Sequence, residues 1–329
     1  MSRLFPSPAL PRLRMLCHIA LALLWLGLTA GAAPAAAADT VAVVLSERGG
    51  VYAEFLDALN AGMAQSPGRR VVRLTGVAAA GEKIDEAELG DASLVLAVGA
   101  GAARALARME GTPPVLSVLV PRLTFERIAA ESGRRSRPGS FSALYLDQPL
   151  SRQLNLLRFA LPGRKRVAAL LGPESAALAP RLRSAVSRAG FELQMEQVAE
   201  EGDIVPALNR LLPGTDVLLA LPDGLVFNRN TARPVLLTTY RHQRPVVGFS
   251  QAYVTAGALA AVFSTPAQMG RQTAEFLRGL PAGRVTLGAP LYPSYFSVAV
   301  NRNVARSLGL DLPDEGVLRE ALEKAGEGE

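Results

Sequence analysis

The stretch 217–263 constrains the fold of this chain more than any other part of the sequence. It holds two apolar runs, 217–221 and 246–249, separated by a segment with helical spacing at 231–241. Continuous apolar runs joined by a helix are typical of parallel strands that are buried on both faces of a sheet. The stretch therefore predicts two neighbouring strands of a parallel sheet and the crossover helix between them.

The residues that follow these two strands predict a ligand site. Pro222 ends the first run and Asp223 comes directly after it, while Ser250 follows the second run. Open α/β sheets bind ligands beyond the carboxyl ends of their strands, so this stretch is expected to form one wall of a ligand cleft. The small residues of 252–260, which include Gly257, suit a chain that passes closely between two lobes.

Apolar runs and helical periods alternate along the rest of the chain. Strands are predicted at 41–45, 71–74, 94–98, 115–120, 141–146, 167–171, 191–198 and 295–300. Helices are predicted at 51–65, 102–109, 147–161, 204–212, 268–278, 303–308 and 317–324. A further helix is predicted after the loop 172–175, and it ends at Arg188. The Arg-, Ser- and Gly-rich segment 122–139 is expected to be a solvated surface loop, with an anion-binding patch as the alternative.

The strand–helix rhythm restarts after Pro149, which indicates two halves. The fold class predicted is α/β, with two Rossmann-like lobes joined by a hinge. We expect lobe one to comprise residues 39–144 plus about 251–285. Lobe two is expected to comprise 145–250 plus about 286–329.

The N-terminal segment 1–38 has the pattern of a secretory signal peptide. Arg12 and Arg14 precede an apolar run at 15–28, and small residues lead up to Ala38. A membrane anchor is the alternative, but the run is shorter than the ~20 residues that a span needs. We therefore expect cleavage near Ala38 and export to the periplasm.

Composition excludes several classes of function. The net charge is +6, and three of the arginines behind it lie in the first 38 residues, so the remaining excess is too small to predict nucleic-acid binding. The chain has one cysteine, Cys17, and two histidines, His18 and His242. Once the signal segment is removed, only His242 remains, so no metal site and no cofactor are expected.

Two short motifs resemble catalytic or cofactor signatures without completing them. Gly99 and Gly101 follow a strand, but Arg104 takes the third position of a dinucleotide-binding fingerprint. Ser250 stands where a hydrolase would place its nucleophile, but His242 precedes it, whereas the hydrolase order puts the histidine after the serine. Neither motif predicts an enzyme.

The side chains at strand ends are the candidates for ligand binding. Asp223 could pair with a ligand ammonium, or it could serve as a turn or helix-capping residue, since Asp-Gly is a frequent turn pair. Ser46, at the end of the first strand, has the same two interpretations. Tyr52, Tyr253 and Phe227 could pack against an apolar part of a ligand or belong to the core.

Four segments carry a resemblance to a known family. They are Pro222-Asp223, 245–250, 257–260 and the segment 301–310, which combines Asn, Ala and Leu-Gly. The chain resembles, over most of 41–312, the solute-binding proteins of the ABC-transporter group related to tryptophan and phenylalanine binders. That resemblance implies the type I periplasmic-binding fold, in which two α/β lobes are joined by three crossing strands.

The resemblance also implies a set of ligand-binding positions. Ser46, Gly99 and Ala100 would lie on the first lobe's side of the cleft, and Gly172, Asp223 and Asn228 on the second lobe's side. Asp147, Tyr253 and Gly257 would lie near the crossings. Together with the residue-based candidates, the predicted site is Ser46, Tyr52, Gly99, Ala100, Asp147, Gly172, Asp223, Asn228, Ser250, Tyr253 and Gly257.

The function expected is that of a periplasmic protein which captures a small solute, such as an amino acid or a related compound, for an ABC permease in the inner membrane. Two alternatives remain at this point. One is a ligand-sensing partner of a membrane receptor, and the other is a hydrolase that uses Ser250.

Overall fold

The strands of the protein form two separate sheets in the computed structural model. The structure describes residues 39–65, 70–78, 84, 86–109, 111–133, 137–281, 283 and 285–326. The predicted signal peptide and its cleavage site lie outside these residues. The two-sheet α/β architecture predicted from the sequence is confirmed.

The first sheet has five parallel strands in the order β2-β1-β3-β4-β5. They are β1 (Asp39–Leu45), β2 (Arg70–Val77), β3 (Ala92–Val98), β4 (Val115–Val120) and β5 (Phe141–Tyr145). The helices between them are α1 (Gly50–Ala64), α2 (Glu86–Leu89), α3 (Ala100–Ala107) and α4 (Arg122–Glu131). This strand order is that of a doubly wound sheet, which binds ligands at its carboxyl edge.

The second sheet has six strands in the order β11-β10-β9-β8-β6-β7, and only β11 runs antiparallel to its neighbour. The strands are β6 (Arg166–Leu171), β7 (Glu192–Gln197), β8 (Val217–Leu219), β9 (Val246–Gly248), β10 (Ala260–Phe263) and β11 (Ser297–Val300). The helices from α5 to α12 are α5 (Leu150–Ala160), α6 (Ala179–Arg188), α7 (Ile204–Leu211), α8 (Ala232–Arg241), α9 (Gln251–Ala256), α10 (Pro266–Gly279), α11 (Arg302–Ser307) and α12 (Glu315–Ala325).

The chain passes between the two sheets at three places. Residues 146–149 connect β5 to α5, residues 264–265 connect β10 to α10, and residues 292–296 lead into β11. The first passage lies where the restart of the strand–helix rhythm predicted it. The later boundaries were predicted wrongly, because α9 and β10 belong to the second sheet, and residues 285–291 still pack along the first.

The segment predicted to pass between the lobes, 252–260, instead lies within the second lobe. Ser250 caps α9 by accepting a hydrogen bond from the backbone N–H of Tyr253, and Gly257 ends that helix with a positive φ of 129°. Tyr253 and Gly257 therefore do not lie at the crossings. The small residues allow a short helix to turn directly into β10, which pairs with β9.

The segment 122–139 was wrongly predicted to be a loop. Its first ten residues form α4, which buries Phe125 and Ile128. The Phe125 ring contacts the rings of Phe141 and Tyr145 on β5, with centroid distances of 4.9 and 5.9 Å. Two apolar residues three positions apart thus stabilise the helix against the sheet, although most of the segment is polar.

Close packing between α1 and α10 joins the second part of the first lobe, which begins after the passage 264–265, to its first part. Gly270 of α10 lies against the backbone of α1, where an added Cβ would collide with the carbonyl oxygen of Phe55 and lie 3.0 Å from the backbone N of Leu59. Gly62 of α1 is equally close to Ala274 of α10, at 2.5 Å from an added Cβ to the Ala274 Cβ. Glycine is required here by the approach of two backbones.

We expect Gly270→Ala to lower the free energy of unfolding by about 1–3 kcal/mol, because the methyl group forces the two helices apart. Gly279→Ala in the same helix is the matched control, since nothing lies within 4 Å of its added Cβ. Urea unfolding measures both. A Gly270→Ala protein as stable as the Gly279→Ala protein would contradict this account of the helix packing.

Candidate functional site

Two adjoining cavities lie between elements of the two sheets. The larger, of about 280 Å³, is lined by Pro121, Arg122, Leu123, Thr124, Asp147, Gln148, Leu150, Gln153, Glu174, Leu178, Leu221, Pro222, Asp223, Gly224, Phe227, Phe249 and Tyr292. The smaller, of about 180 Å³, is lined by Pro121, Leu146, Asp147, Gln148, Gln153, Pro222, Phe249, Ser250, Val262, Phe263 and Ser264. Because six residues line both, we call the pair the cleft.

The cleft lies at the carboxyl ends of strands from both sheets. Pro121 and Arg122 follow β4, and Asp147 follows β5 in the first passage between the sheets. Asp223 and Phe249 come after β8 and β9 of the second sheet. Doubly wound sheets bind ligands at this edge, and the strand order of the two sheets places the lining residues there.

The carboxylate of Asp223 is held by its own lobe. Asp223 is 5% exposed. Its Oδ2 accepts hydrogen bonds from the backbone N–H of Ser175 at 2.8 Å and from the Ser175 hydroxyl at 2.7 Å. Its Oδ1 accepts from the backbone N–H groups of Leu225 at 2.9 Å and Val226 at 3.2 Å. The geometry thus supports the turn interpretation of Asp223, which ties the loop after β6 to the loop after β8.

Gly172 and Asn228 belong to the same pair of loops. An added Cβ on Gly172 would collide with the Asp223 carboxylate, so glycine is needed for the loops to meet. The Asn228 side chain accepts hydrogen bonds from the backbone N–H of Asn230 at 2.7 Å and of Thr231 at 3.1 Å. Its amide nitrogen donates to the Gly224 carbonyl at 3.0 Å. Both residues shape the loops, and neither lines the cleft.

The predicted residues of the first lobe form a separate cluster. The Ser46 hydroxyl oxygen accepts a hydrogen bond from the backbone N–H of Ala102 at 2.9 Å, and Ser46 also hydrogen bonds with Tyr52. Gly99 lies against both side chains with a φ of +90°, and Ala100 begins α3 beside it. The structure brings Ser46, Tyr52, Gly99 and Ala100 together, but none of the four lines the cleft.

Asp147 is the predicted residue that lies at the centre of the cleft, since it lines both cavities. Its Oδ2 accepts a hydrogen bond from the backbone N–H of Arg122 at the start of α4. Burial raises the pKa of Asp147 to about 6, because removal from water disfavours the charged carboxylate. Arg122 directs its guanidinium to Glu126 at 2.6 Å and to the Tyr292 hydroxyl at 2.8 Å.

Aromatic rings form the wall contributed by the second sheet. Phe227 and Phe249 line the cleft, and Phe249 stacks on Tyr253 with a centroid distance of 5.7 Å. Phe227 meets both rings edge-on, at 6.2 and 5.9 Å. Tyr253 thus supports the two cleft rings from behind, and its buried hydroxyl has no hydrogen-bond partner among the described residues. Burial raises the pKa of Tyr253.

The serine and histidine considered for catalysis serve other contacts. Ser250 lines the smaller cavity, and its hydroxyl oxygen accepts from the Tyr253 backbone N–H at 3.2 Å. The His242 Nε2 lies 2.9 Å from the Asn209 Oδ1, at the end of α8. The Ser250 side chain caps α9 and the His242 side chain contacts α7, and among the described residues no contact joins them into a catalytic pair.

Several cleft residues were missed by the sequence analysis. Arg122 follows a strand end just as Asp223 does, but the segment was interpreted as a loop. Gln153 lies in the predicted helix 147–161, between Leu150 and Leu157 on the face that carries the apolar residues. A polar residue at an inward-facing helical position was the signal available for it. Tyr292 lies in the third passage, for which no periodic pattern exists.

The architecture and the cleft define a two-lobed α/β ligand-binding protein. Residues 92–325 match the family described as ABC transporter substrate binding protein. The match covers more than half of the chain, so the protein belongs to this family, and the resemblance stated from the sequence is confirmed. Within the residues that the structure describes, no helix has the length and apolar character needed to cross a membrane.

Solved structures with the same fold share little sequence with this chain. The ABC domain from Streptococcus pneumoniae, solved in complex with L-Trp, is 16% identical with a TM-score of 0.57, over 86% of this chain and 98% of its own. A substrate binding protein with adhesive properties from Clostridium difficile, in its ligand-free, open form, is 18% identical with a TM-score of 0.62, over 84% and 96%.

A conserved domain protein from Vibrio cholerae is 19% identical with a TM-score of 0.56, over 86% of this chain and 98% of its own. No curated protein sequence matches this chain. At these identities the structures show the fold alone. They confirm the predicted periplasmic-binding type of α/β fold.

The internal hydrogen bonds of Asp223 generate a prediction about stability. We expect Asp223→Ala to lower the free energy of unfolding of the ligand-free protein by about 2–4 kcal/mol, since it leaves the backbone N–H groups of Ser175, Leu225 and Val226 without this acceptor. Chemical denaturation measures the change, with Asp311→Ala at an exposed aspartate as the control. An Asp223→Ala protein as stable as the control would return Asp223 to the list of ligand-binding residues.

The raised pKa of Asp147 generates a prediction about pH. Between about pH 4 and pH 6 the folded protein holds a proton on Asp147 that the unfolded chain has lost, so the stability contributed by this residue falls as pH rises through that window. Asp147→Asn removes the ionisation. We therefore expect the free energy of unfolding of the variant, relative to that of the wild type, to increase by roughly 1–3 kcal/mol from pH 4 to pH 7.

Denaturant unfolding at pH 4, 5.5 and 7 tests this expectation. Asp311→Asn is the control, because Asp311 is exposed and should show no such pH-dependent gain. A difference between Asp147→Asn and wild type that stays constant with pH would show that the Asp147 carboxylate is not destabilised by its surroundings.

Proposed function

We propose that this protein is the periplasmic solute-binding component of an ABC importer and that it holds one small, largely apolar solute in the cleft. The observation that carries the proposal is the cleft itself, which is lined by residues from both sheets at the carboxyl ends of their strands. Membership of the family supports a role with an ABC transporter, and the cleft supports a binding site for the solute.

The lining of the cleft supports an aromatic or similarly flat solute. Phe227 and Phe249 present ring surfaces held by Tyr253, and the apolar side chains of Leu123, Leu150 and Leu221 extend them. Apolar and aromatic walls with few polar groups bind solutes of the same character. A polyhydroxylated solute would lose its hydrogen bonds to water here without gaining enough partners, so a sugar is disfavoured.

Three of the four charged residues that line the cleft are paired within the protein, and the fourth, Asp147, accepts a hydrogen bond from the backbone N–H of Arg122. Asp223 accepts four hydrogen bonds from its own lobe, and the Arg122 guanidinium is paired with Glu126. Glu174 is paired with Arg127 at 3.3 Å and accepts a hydrogen bond from the Gly224 backbone N–H at 3.2 Å. The solute's affinity therefore depends on its apolar part. The L-Trp bound by the Streptococcus pneumoniae relative is a solute of this kind.

The sequence and the family support the proposed export and the proposed partner. The pattern of residues 1–38 supports cleavage near Ala38 and release into the periplasm. An ABC permease in the inner membrane would then receive the solute. A hydrolase is disfavoured, because the Ser250 hydroxyl oxygen accepts a backbone hydrogen bond and His242 contacts Asn209.

A thermal-shift screen tests the proposed function. The panel comprises aromatic amino acids, indoles, phenols, aliphatic amino acids and sugars, added to protein that has been unfolded and refolded to remove carried solute. A solute at ~100 times its Kd should add roughly 2.7 kcal/mol of stability, because it binds only the folded chain. We expect the shift from aromatic members of the panel and none from sugars.

Two phenylalanine variants locate the binding. Phe249→Ala removes a ring of the cleft and should abolish the solute-induced shift, since it removes apolar contact area on the solute. Phe191→Ala is the matched control, because Phe191 packs outside both cavities, near Arg158. A shift that persists in Phe249→Ala and disappears in Phe191→Ala would place the solute elsewhere, and a panel without any binder would refute the proposed function.

A further inference from the structure

The side chain of Gln153 has an unusual position in the cleft. It lies in the first turn of α5, is 4% exposed, and lines both cavities. Its amide nitrogen donates a hydrogen bond to the carbonyl oxygen of Gln148 at 3.0 Å. Its Oε1 is buried and has no hydrogen-bond partner among the described residues. A buried acceptor without a donor costs free energy, so such atoms are rare unless they serve a purpose.

The orientation of the Gln153 amide is set by its neighbour. A carbonyl oxygen can only accept, so the NH2 group must face Gln148, and the Oε1 must face away from it. Exchanging the two ends of the amide would place two acceptors against each other. The Gln148 carbonyl oxygen therefore determines that Oε1, and not the amide nitrogen, is the atom of Gln153 left without a partner.

The side-chain donors of Gln148, Ser264 and Arg152 bond to acceptors other than the Gln153 Oε1. The Gln148 amide nitrogen donates to the Ser264 Oγ at 2.8 Å, and the Ser264 hydroxyl donates to the Tyr295 carbonyl at 2.6 Å. Arg152 donates to the Gln148 Oε1 and to the Pro293 carbonyl. These bonds form the polar network of the passages between the sheets, and none of them includes the Gln153 Oε1.

We propose that the Gln153 Oε1 accepts a hydrogen bond from a neutral N–H or O–H group carried on the ring of the solute, and that Gln153 thereby selects donor-bearing rings over rings without a donor. The inference rests on the proposed function, since it concerns the same cleft. Apolar side chains such as Leu150, Leu221 and Phe249 line the same cavity as Gln153, and burying a charged donor against them would cost more than burying a neutral one. A ring with one N–H or O–H satisfies both the apolar walls and the acceptor.

The selection follows from the asymmetry of buried hydrogen bonds. A solute with a donor satisfies the Gln153 Oε1, whereas an otherwise identical solute without one excludes water and leaves the acceptor unpaired. Sites with a buried polar group therefore reject the analogue that lacks the complementary group. We expect about a tenfold difference in Kd between the members of such a pair.

Matched pairs of solutes test the inference by isothermal titration calorimetry. The pairs are indole and benzofuran, L-tryptophan and 1-methyl-L-tryptophan, and L-tyrosine and L-phenylalanine. In at least one pair, the donor-bearing member should bind the wild type about tenfold more tightly. Gln153→Met keeps the length of the side chain and removes the acceptor, so it should reduce the difference within that pair to about twofold or less.

Gln272→Met is the matched control. Gln272 lies on α10 and bonds through its amide to the third passage, at Tyr292 and Ser294, but it lines neither cavity. It should keep the full difference between the two members of the pair. A purely structural role of Gln153 would weaken both members equally in Gln153→Met, and that result would overturn the inference.

The remaining outcomes separate the inference from the proposed function. Equal affinity of both members of every pair that binds the wild type, or a tenfold difference that survives Gln153→Met, overturns the role of Gln153 and leaves the proposed function standing. The same holds if no pair binds but another solute of the wider panel does. If no solute of either panel binds, both the inference and the proposed function fail.

Discussion

The buried hydrogen bonds of Gln148 hold together the three passages on which the two-sheet structure depends. The Gln148 side chain lies in the first passage, bonds to Ser264 in the second, and receives a bond from Arg152, which also donates to Pro293 in the third. The Arg152 guanidinium lies over the Phe296 ring, 4.2 Å from its centroid. Burial lowers the pKa of Arg152 to about 10, so it remains charged at neutral pH. Such a network is stabilising only when its members are paired, because each unpaired group would be costly.

The contacts at the rim of the cleft are different in kind. Arg127 of the first lobe and Glu174 of the second form an ion pair at 3.3 Å between side chains that are 48% and 39% exposed. Exposed pairs of this kind contribute at most about 1 kcal/mol. The passages are thus joined by buried bonds, and the rim is closed by bonds that water can replace. Under the proposed function, a solute that touches both walls would add contacts that hold the two walls together and would favour the arrangement that makes them.

The sequence predicted the fold class correctly, because the spacing of apolar residues reflects which positions of a strand or helix are buried. Apolar runs such as those of β1, β3 and β4 could be located to within about two residues, and the restart after Pro149 marked the first passage. The later boundaries could not be located, since the Ser264-Thr265-Pro266 break between β10 and α10 has the composition of an ordinary loop between a strand and a helix. Helix α4 escaped prediction because only Phe125 and Ile128 of its ten residues are buried.

The site was less predictable than the fold, and the reason is physical. A carboxylate at a strand end attracts backbone N–H groups as readily as a ligand ammonium, and sequence cannot say which of the two is present. For Asp223 the backbone and Ser175 supply four donors, and the Ser46 hydroxyl oxygen is likewise engaged by Ala102. Strand-end position indicated the edge at which the cleft lies, because topology fixes the edge of the sheet. It did not identify the side chains that remain free there.

The hydrogen bonds and ion pairs that the polar cleft residues form within the protein limit how the cleft can select a solute. With Asp223, Arg122 and Glu174 paired within the protein and Asp147 accepting the Arg122 backbone N–H, shape and apolar area provide most of the affinity under the proposed function. Discrimination among solutes of similar shape then falls to a buried polar atom that still lacks a partner. Such an atom adds little to the affinity of the correct solute, but it penalises a wrong one by the full cost of an unpaired group. In an apolar cleft, a single neutral acceptor can therefore determine specificity without contributing most of the binding energy.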